Sequence, residues 1–279
     1  MGSDTAIVEA ARMSTGSSSK GDEADRKLLD FLFRHEHTSP FEMAELVLEV
    51  QMPIFVFREW DRHRTQELIE TEILAISTTD NASRMFVSKN EFSGRYSEMP
   101  AISYLPTADR LGKQGKINKQ GTEGDLDDVV KKSILDDLRL DQEDVRSHYE
   151  MHLEYGLSRE VARINLGLSQ YTKMRIKANV LNWCRFLDKR LRNNAQYEIR
   201  VYAQAVAQIV QELFPWTWAS FEEHAYNAVK FSASEMKLLK TLLNSVNEEK
   251  IAPAINHLNW PKSRVEEFLQ KLALNSEDL

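Results

Sequence analysis

The 279-residue chain holds a single cysteine, Cys184. An internal disulfide and a cysteine-rich metal site are thereby excluded. The setting Leu-Asn-Trp-Cys-Arg-Phe-Leu is helical and apolar, so Cys184 is expected to be a small buried filler. Glycine, at 10 residues, and proline, at 7, are scarce, which argues against extended disorder and favours helix. No apolar run approaches the length of a membrane span, and the first residues carry no basic or apolar leader. A cytoplasmic protein with no membrane partner is expected. Positive charge is not in excess either. A net charge of −7 argues against a general nucleic-acid coat, which wants a basic surface, so any cationic site must be local. What is present is a 42% hydrophobic fraction, enough to build a core in one large domain or two small ones.

The apolar periodicity gives mostly helices. Asp4–Met13 is a short one, with Ala6, Ile7, Ala10 and Ala11 as its apolar set, followed by a Ser/Gly-rich loop. Asp22–Arg34 is amphipathic, with Leu28, Leu29, Phe31 and Leu32 in a stripe and acidic residues in its first turn. Glu45–Met52 alternates, Leu46, Leu48, Val50 and Met52 against Glu45, Glu49 and Gln51, and reads as a half-buried strand. Pro53 then suits the first position of a helix buried through Ile54, Phe55, Phe57 and Trp60. Residues 100–124 read as a basic loop. Leu126–Tyr155 is a long charged helix or helix pair stopped by Gly156. His148 and His152 share a face of it, without a third metal ligand, and read as solvated. Ser158 is placed to cap a helix over Arg159–Leu166. Lys173–Val180 alternates as a strand, with Arg175, Lys177 and Asn179 on a basic face. Leu181–Leu191 and Gln196–Phe214 are helices, the second with Ile199, Tyr202, Val206, Ile209, Val210 and Leu213 as a core stripe. Shorter helices, Ser234–Val246 and Pro261–Leu274, follow. The pattern predicts an α+β fold, a mixed small sheet with several long helices in a single domain over 1–222, with 223–279 as a helical C-terminal extension.

Chemistry concentrates between Pro53 and Tyr96. Arg62-His63-Arg64-Thr65 follows the apolar helix. After an interruption comes Ser88-Lys89-Asn90-Glu91-Phe92-Ser93-Gly94-Arg95-Tyr96. This donor-rich set suits anionic, planar ligands such as phosphates and nucleobases. A second polar cluster, His35-Glu36-His37-Thr38-Ser39-Pro40, follows the end of the Asp22–Arg34 helix.

The two pieces together resemble the signature of the flavin-dependent thymidylate synthases, Arg-His-Arg-x-x-Ser-x-Asn-Glu-x-Ser-x-Arg-Tyr. Further segments look like landmarks of the same family. They include Ala10-Ala11-Arg12-Met13-Ser14, His37-x-Ser39-Pro40-Phe41-Glu42, Asn118-Lys119-Gln120-Gly121, Arg159-Glu160-Val161-Ala162-Arg163, Tyr171-Thr172, Ala195-Gln196-Tyr197-Glu198-Ile199 and Pro215-Trp216-Thr217. The resemblance implies methylation of dUMP to dTMP, with methylenetetrahydrofolate as carbon donor and FAD reduced by NADPH. It implies a homotetramer with sites at subunit interfaces. It also assigns residues. Arg62, His63, Arg64 and Glu91, with Ser39, Asn179 and Arg185, look like flavin contacts. His37 looks like the histidine near flavin and folate. Glu59, Arg62, Glu91, Phe92, Ser93, Gly94, Arg95 and Arg163 look like the dUMP pocket, and Arg190 like the arginine facing the uracil. Arg190, Ser93 and His37 are the catalytic candidates. Ser93 has no histidine neighbour in sequence and is expected to bind or orient rather than attack.

The chain also departs from the family pattern. Residues 66–87 stand where the family has one residue, inside the ligand-binding loop, with Gln66–Ile76 helical in pattern. A second reading is therefore an impaired flavin- or nucleotide-binding relative, disabled by the insertion. Glu59 stands where glutamine is usual, Met43 for histidine, Leu181 for arginine, Arg185 for histidine or asparagine, and Asn194 for histidine. The question the sequence poses is whether the two halves of the split motif meet.

Overall fold

A computed structural model of the chain describes residues 2–63, 87–116, 119, 121–243, 260, 264 and 268. The helix expected over Gln66–Ile76 lies outside them. Of the Pro261–Leu274 helix only Arg264 and Phe268 are described, both helical. The chain divides into two compact units, Met1–Asn227 and Ala228–Leu279.

The first unit opens with α1 (Asp4–Met13) and α2 (Asp22–Arg34), then a 3₁₀ turn over Ser39–Glu42. Next come strand β1 (Glu45–Pro53), helix α3 (Ile54–Trp60) and strand β2 (Val87–Glu91). A small hairpin, β3 (Lys113–Gln114) and β4 (Thr122–Glu123), lies in the basic loop. Residues 126–155, expected as a helix or helix pair, are one helix, α4 (Asp128–Glu154). Asp127 caps it by accepting from Val129 N, and Gly156 ends it at φ 80°. Helix α5 covers only Arg159–Ala162 and passes into a 3₁₀ turn over Arg163–Asn165. The Ser158 side chain makes no cap bond, so the longer helix expected there is not formed. Strand β5 (Tyr171–Asn179), α6 (Val180–Arg190), α7 (Tyr197–Leu213) and α8 (Pro215–Phe221) complete the unit. In the second unit, α9 spans Ala233–Leu243, and Trp260 lies 5.4 Å from the Phe268 ring.

The three-stranded sheet has the order β1-β5-β2. Both pairings are antiparallel, where a mixed sheet was expected. The registers Leu46↔Ala178, Leu48↔Ile176 and Val50↔Met174 put the apolar positions of β1 and β5 on one face. That face packs into the core with Trp60, Trp183, Phe186, Leu187 and Val210, and the Trp60 and Phe186 rings stack at 4.6 Å. On the opposite face Lys177 pairs with Glu45 at 2.8 Å and Lys173 with Glu49. Two lysines on this face of β5 are thus paired with carboxylates of β1. The alternation fails at the end of β5, where Ala178, Asn179 and Val180 are all buried. Val180, expected in the strand, is the first residue of α6.

Two details differ from the periodicity. Val56 is buried in α3 beside Trp60, while Ile54, Phe55 and Phe57 are half-buried. Leu213 is exposed at the end of α7, and Ala203 and Ala207 are buried instead. Cys184 is buried in the core, and burial pushes its thiol up to about 12. No helix among the described residues is long and apolar enough to cross a membrane.

Candidate active site

The described parts of the split motif are carried by strands of one sheet. The first half continues directly from α3, which β1 delivers, and the second half is β2 and the turn after it. Both strands pair with β5. The Lys89 ammonium of the second half forms an ion pair with the Asp61 carboxylate, which directly precedes the first half at the end of α3. The same ammonium lies 5.7 Å from the centroid of the Phe57 ring.

Arg190, the last residue of α6, reaches back to the first half. Its Nε donates to His63 Nε2 at 2.7 Å. Its Nη2 lies 3.1 Å from Glu59 Oε2 and donates to the Glu59 carbonyl at 3.3 Å. His63 accepts at Nε2, so the neutral ring carries its proton on Nδ1. Burial, followed by the Arg190 and Lys189 cations, lowers the His63 imidazole from 6.5 to about 4. Glu59, His63 and Arg190 therefore form one cluster.

The second half forms another group. Glu91 accepts from the Thr172 hydroxyl of β5 at 2.8 Å. Phe92 N donates to the Lys173 carbonyl at 2.8 Å, and the Phe92 side chain packs beside Met99, Tyr149 and Ala162. Ser93 begins a turn in which its Oγ accepts from Arg95 N at 3.4 Å. Gly94 is buried, and a Cβ there would meet Met99 Sδ at 2.6 Å and Arg163 Cδ at 3.0 Å. Glycine at this point lets the motif turn lie directly against Arg163. A cavity of about 300 Å³ lies beside it, lined by Ile54, Met99, Glu160, Arg163, Ile164 and Leu166. Arg95 is exposed, with its guanidinium 5.5 Å from the Tyr96 ring, and Arg62 is exposed as well. Arg64 lies outside the described residues.

The remaining expected residues stand elsewhere. Asn179 is buried at the start of α6, and its side-chain oxygen accepts from Asn182 N at 2.9 Å. Its amide N–H groups can donate to a ligand. Arg185 is half-buried on α6 with Nη1 at 3.4 Å from Asn182 Oδ1. Asn179 and Arg190 mark opposite ends of an 11-residue helix, about 16 Å at 1.5 Å per residue. Ser39 and His37 are exposed around the 3₁₀ turn, with the His37 ring 5.9 Å from Phe31. The preceding Glu36 has φ 56°, a left-handed conformation costly for a residue other than glycine. The single chain thus brings Glu59, His63 and Arg190 together, and Gly94 with Arg163. Asn179 stands at the opposite end of α6 from Arg190, and His37 and Ser39 lie around the 3₁₀ turn.

Sequence reasoning gave no role to Asp61, Lys89 or Thr172. Thr172 lies in a landmark pair, but only the β2–β5 register aims it at Glu91. Glu198 is another. It is buried and accepts from Tyr104 OH at 2.9 Å, Arg110 Nε at 3.1 Å and Gln196 Nε2 at 2.9 Å, tying the residue 100–110 loop to α7. Burial alone would raise its carboxyl, but these bonds, together with its own backbone, outweigh that and lower it.

The family described as thymidylate synthase complementing protein matches this chain over residues 1–216. A Thermus thermophilus protein called flavin-dependent thymidylate synthase is 42% identical over 272 residues, covering 98% of this chain and 90% of the relative. The chain belongs to the flavin-dependent thymidylate synthase family. A Wolbachia pipientis member is 37% identical over 260 residues, 93% of this chain and 84% of its own. Among solved structures, a UMP/dUMP methylase, PolB from Streptomyces cacaoi bound with 5-Br UMP, superposes with a TM-score of 0.66. It is 28% identical and covers 81% of this chain and 92% of its own. As a family member, the chain carries the signature in two pieces, with Asp61 beside the first meeting Lys89 of the second.

The donor set suits a phosphate-bearing, planar ligand of the flavin or nucleotide kind. Arg62, Arg95 and Arg163 offer forked N–H groups, Asn179 an amide and His63 an Nδ1–H.

Proposed function

We propose that this chain methylates dUMP to dTMP, with methylenetetrahydrofolate as the carbon donor and FAD, reduced by NADPH, as its flavin. The observation that supports this reading is the contact of Lys89, in the second motif half, with Asp61, the residue directly before the first. It favours an intact ligand-binding segment over an impaired relative.

The chemistry of the side chains fits. Uracil C5 must become nucleophilic. One route to that is a thiol added at C6. The only cysteine of the chain, Cys184, is buried and its thiol is pushed up to about 12, so it is not poised for this at neutral pH. When bound, the flavin supplies the hydride. Arg190 would stabilise negative charge on the uracil oxygens or N3. To do so it leaves Glu59 and His63, which hold it in the free chain. Arg95 and Arg163, on either side of Gly94, would clamp the phosphate by paired N–H bonds. Ser93 would orient the ring from the turn. Arg62, His63, Arg64, Glu91, Asn179 and Arg185 would hold the flavin, and Ser39 and His37 would close it in with the folate.

Asn179 stands at the opposite end of α6 from Arg190, which is the arrangement expected if one site draws residues from more than one subunit. This supports a site shared between subunits, and the homotetramer itself is proposed from the family resemblance. The apolar run Tyr155, Ile164 and Leu168, exposed at 76%, 73% and 63%, flanks Arg163 and would be covered in it.

Purified protein is expected to be yellow and, with NADPH and methylenetetrahydrofolate, to release tritium from 5-labelled deoxyuridylate. A colourless protein that takes up no FAD overturns the reading. A yellow protein that binds deoxyuridylate without releasing tritium favours the impaired relative.

A further inference from the structure

We propose that the Asp61–Lys89 ion pair is a positioning clasp that holds the two halves of the ligand-binding segment together across the stretch of sequence between them. The proposal rests on the functional reading above, that both halves serve one site.

The two residues are 28 apart in sequence. Where the halves are contiguous, peptide bonds fix one against the other. Here that constraint is absent, and non-covalent contacts must replace it. The sheet does part of this, but β1 and β2 do not pair with each other, because β5 stands between them. Strands two positions apart are about 9.6 Å from each other, so sheet pairing fixes the strands without fixing the end of α3 against β2. The Lys89 side chain spans that interval. Its ammonium meets Asp61 and lies over Phe57, so it holds α3 at two points one turn apart.

The location of Asp61 argues the same way. It follows the last residue of α3, at the C-terminal end of the helix. A carboxylate is disfavoured there by the helix dipole, so a facing cation gives it a reason to be present. The pair is also sheltered, with Lys89 at 16% and Asp61 at 31% side-chain exposure. Water screens it less than a surface pair. Neither residue belongs to the candidate ligand set. Asp61 adjoins Arg62-His63, however, and Lys89 adjoins Asn90-Glu91, so a shift of either moves ligand-facing groups on both sides.

The test uses the full chain with Asp61→Asn, Lys89→Gln and the exchange of both, Asp61→Lys with Lys89→Asp. KM for deoxyuridylate, kcat, bound FAD absorbance and the urea-unfolding midpoint are measured for each. Each single variant is expected to raise KM about three- to tenfold, as loss of a sheltered pair does. The unfolding midpoint is expected to move little, and the exchange to bring KM back to within about twofold of the starting value. The exchange separates loss of the pair from damage done by either new side chain, and the unfolding midpoint separates an effect on the site from one on stability. Unchanged KM in both single variants overturns the proposal, as does an exchange no better than either single change. A colourless, inactive unsubstituted chain overturns the functional reading and this proposal with it. Failure of the variants in an active chain overturns this proposal alone.

Discussion

At the residue scale, burial sets the chemistry of two side chains whose types alone left it open. Cys184 is a thiol by type and an inert apolar filler by position. His63 is a histidine in a basic motif, where a cation is the natural expectation, yet it is neutral because it is half-buried and accepts from Arg190. Its pKa in the folded chain, about 4, is below the ordinary 6.5, so protons bind the unfolded chain more tightly. The stability His63 contributes is fully present above about pH 6.5 and is lost as the pH falls toward 4. The urea-unfolding midpoint should therefore decline through that window, and less steeply in His63→Asn, which has nothing to protonate. Equal slopes in the two proteins would show that His63 is not held neutral by the fold. The sequence marked His63, Arg190 and Glu59 as site residues. It had no means of showing that they bond to one another, because Arg190 lies 127 residues from His63.

At the element scale, the clearest departure from pattern is α1. Its apolar set was expected to be Ala6, Ile7, Ala10 and Ala11, but its buried residues are Asp4, Ile7, Val8 and Arg12. Both buried charges have partners. Arg12 pairs with Asp25 of α2. Asp4 caps α8, 212 residues away. Its Oδ2 accepts from Trp216 N at 2.7 Å, and its Oδ1 from Thr217 N at 3.1 Å and the Thr217 hydroxyl at 2.6 Å. The first-turn N–H groups of a helix have no intrahelical acceptor, and Phe214 at the N-cap of α8 has none to offer. Asp4→Ala should lower stability by about 2 kcal/mol in urea unfolding at neutral pH. Asp4→Asn, which keeps one accepting oxygen, should cost less. Equal stability of Asp4→Ala and the parent chain would remove this cap from the account of the fold. A period-3.6 reading sorts residues by hydrophobicity and so places Asp4 and Arg12 outside. Elements chosen by strong alternation or long amphipathic runs, β1, α2, α6 and α7, were legible nearly to their ends. The end of β5 and the short α5 were not. There Asn179 uses its side chain to start a helix, and Ser158 does not.

At the scale of the whole molecule, the exposed run from Tyr155 to Leu168 separates a monomeric site from a shared one. Ile164 is 73% exposed, so Ile164→Asp should leave the folded chain about as stable as before, as surface changes do. In a tetramer the same change places a carboxylate in an apolar interface. Light scattering is expected to show a tetramer for the parent chain and smaller species for Ile164→Asp, with loss of tritium release in parallel. A parent chain that runs as a monomer with full activity would remove the shared-site reading.

The linear chain by itself determined the fold class, most elements and the family, because periodicity and a dense signature are local properties that survive in one dimension. It also determined that the signature is cut in two. Only the tertiary structure decided that Lys89 of the second piece meets Asp61 beside the first, because that contact depends on which strand lies between two others. With β5 in the centre, β1 and β2 deliver α3 and the second motif half to the same end of the sheet, where Lys89 reaches Asp61 and Arg190 reaches Glu59 and His63.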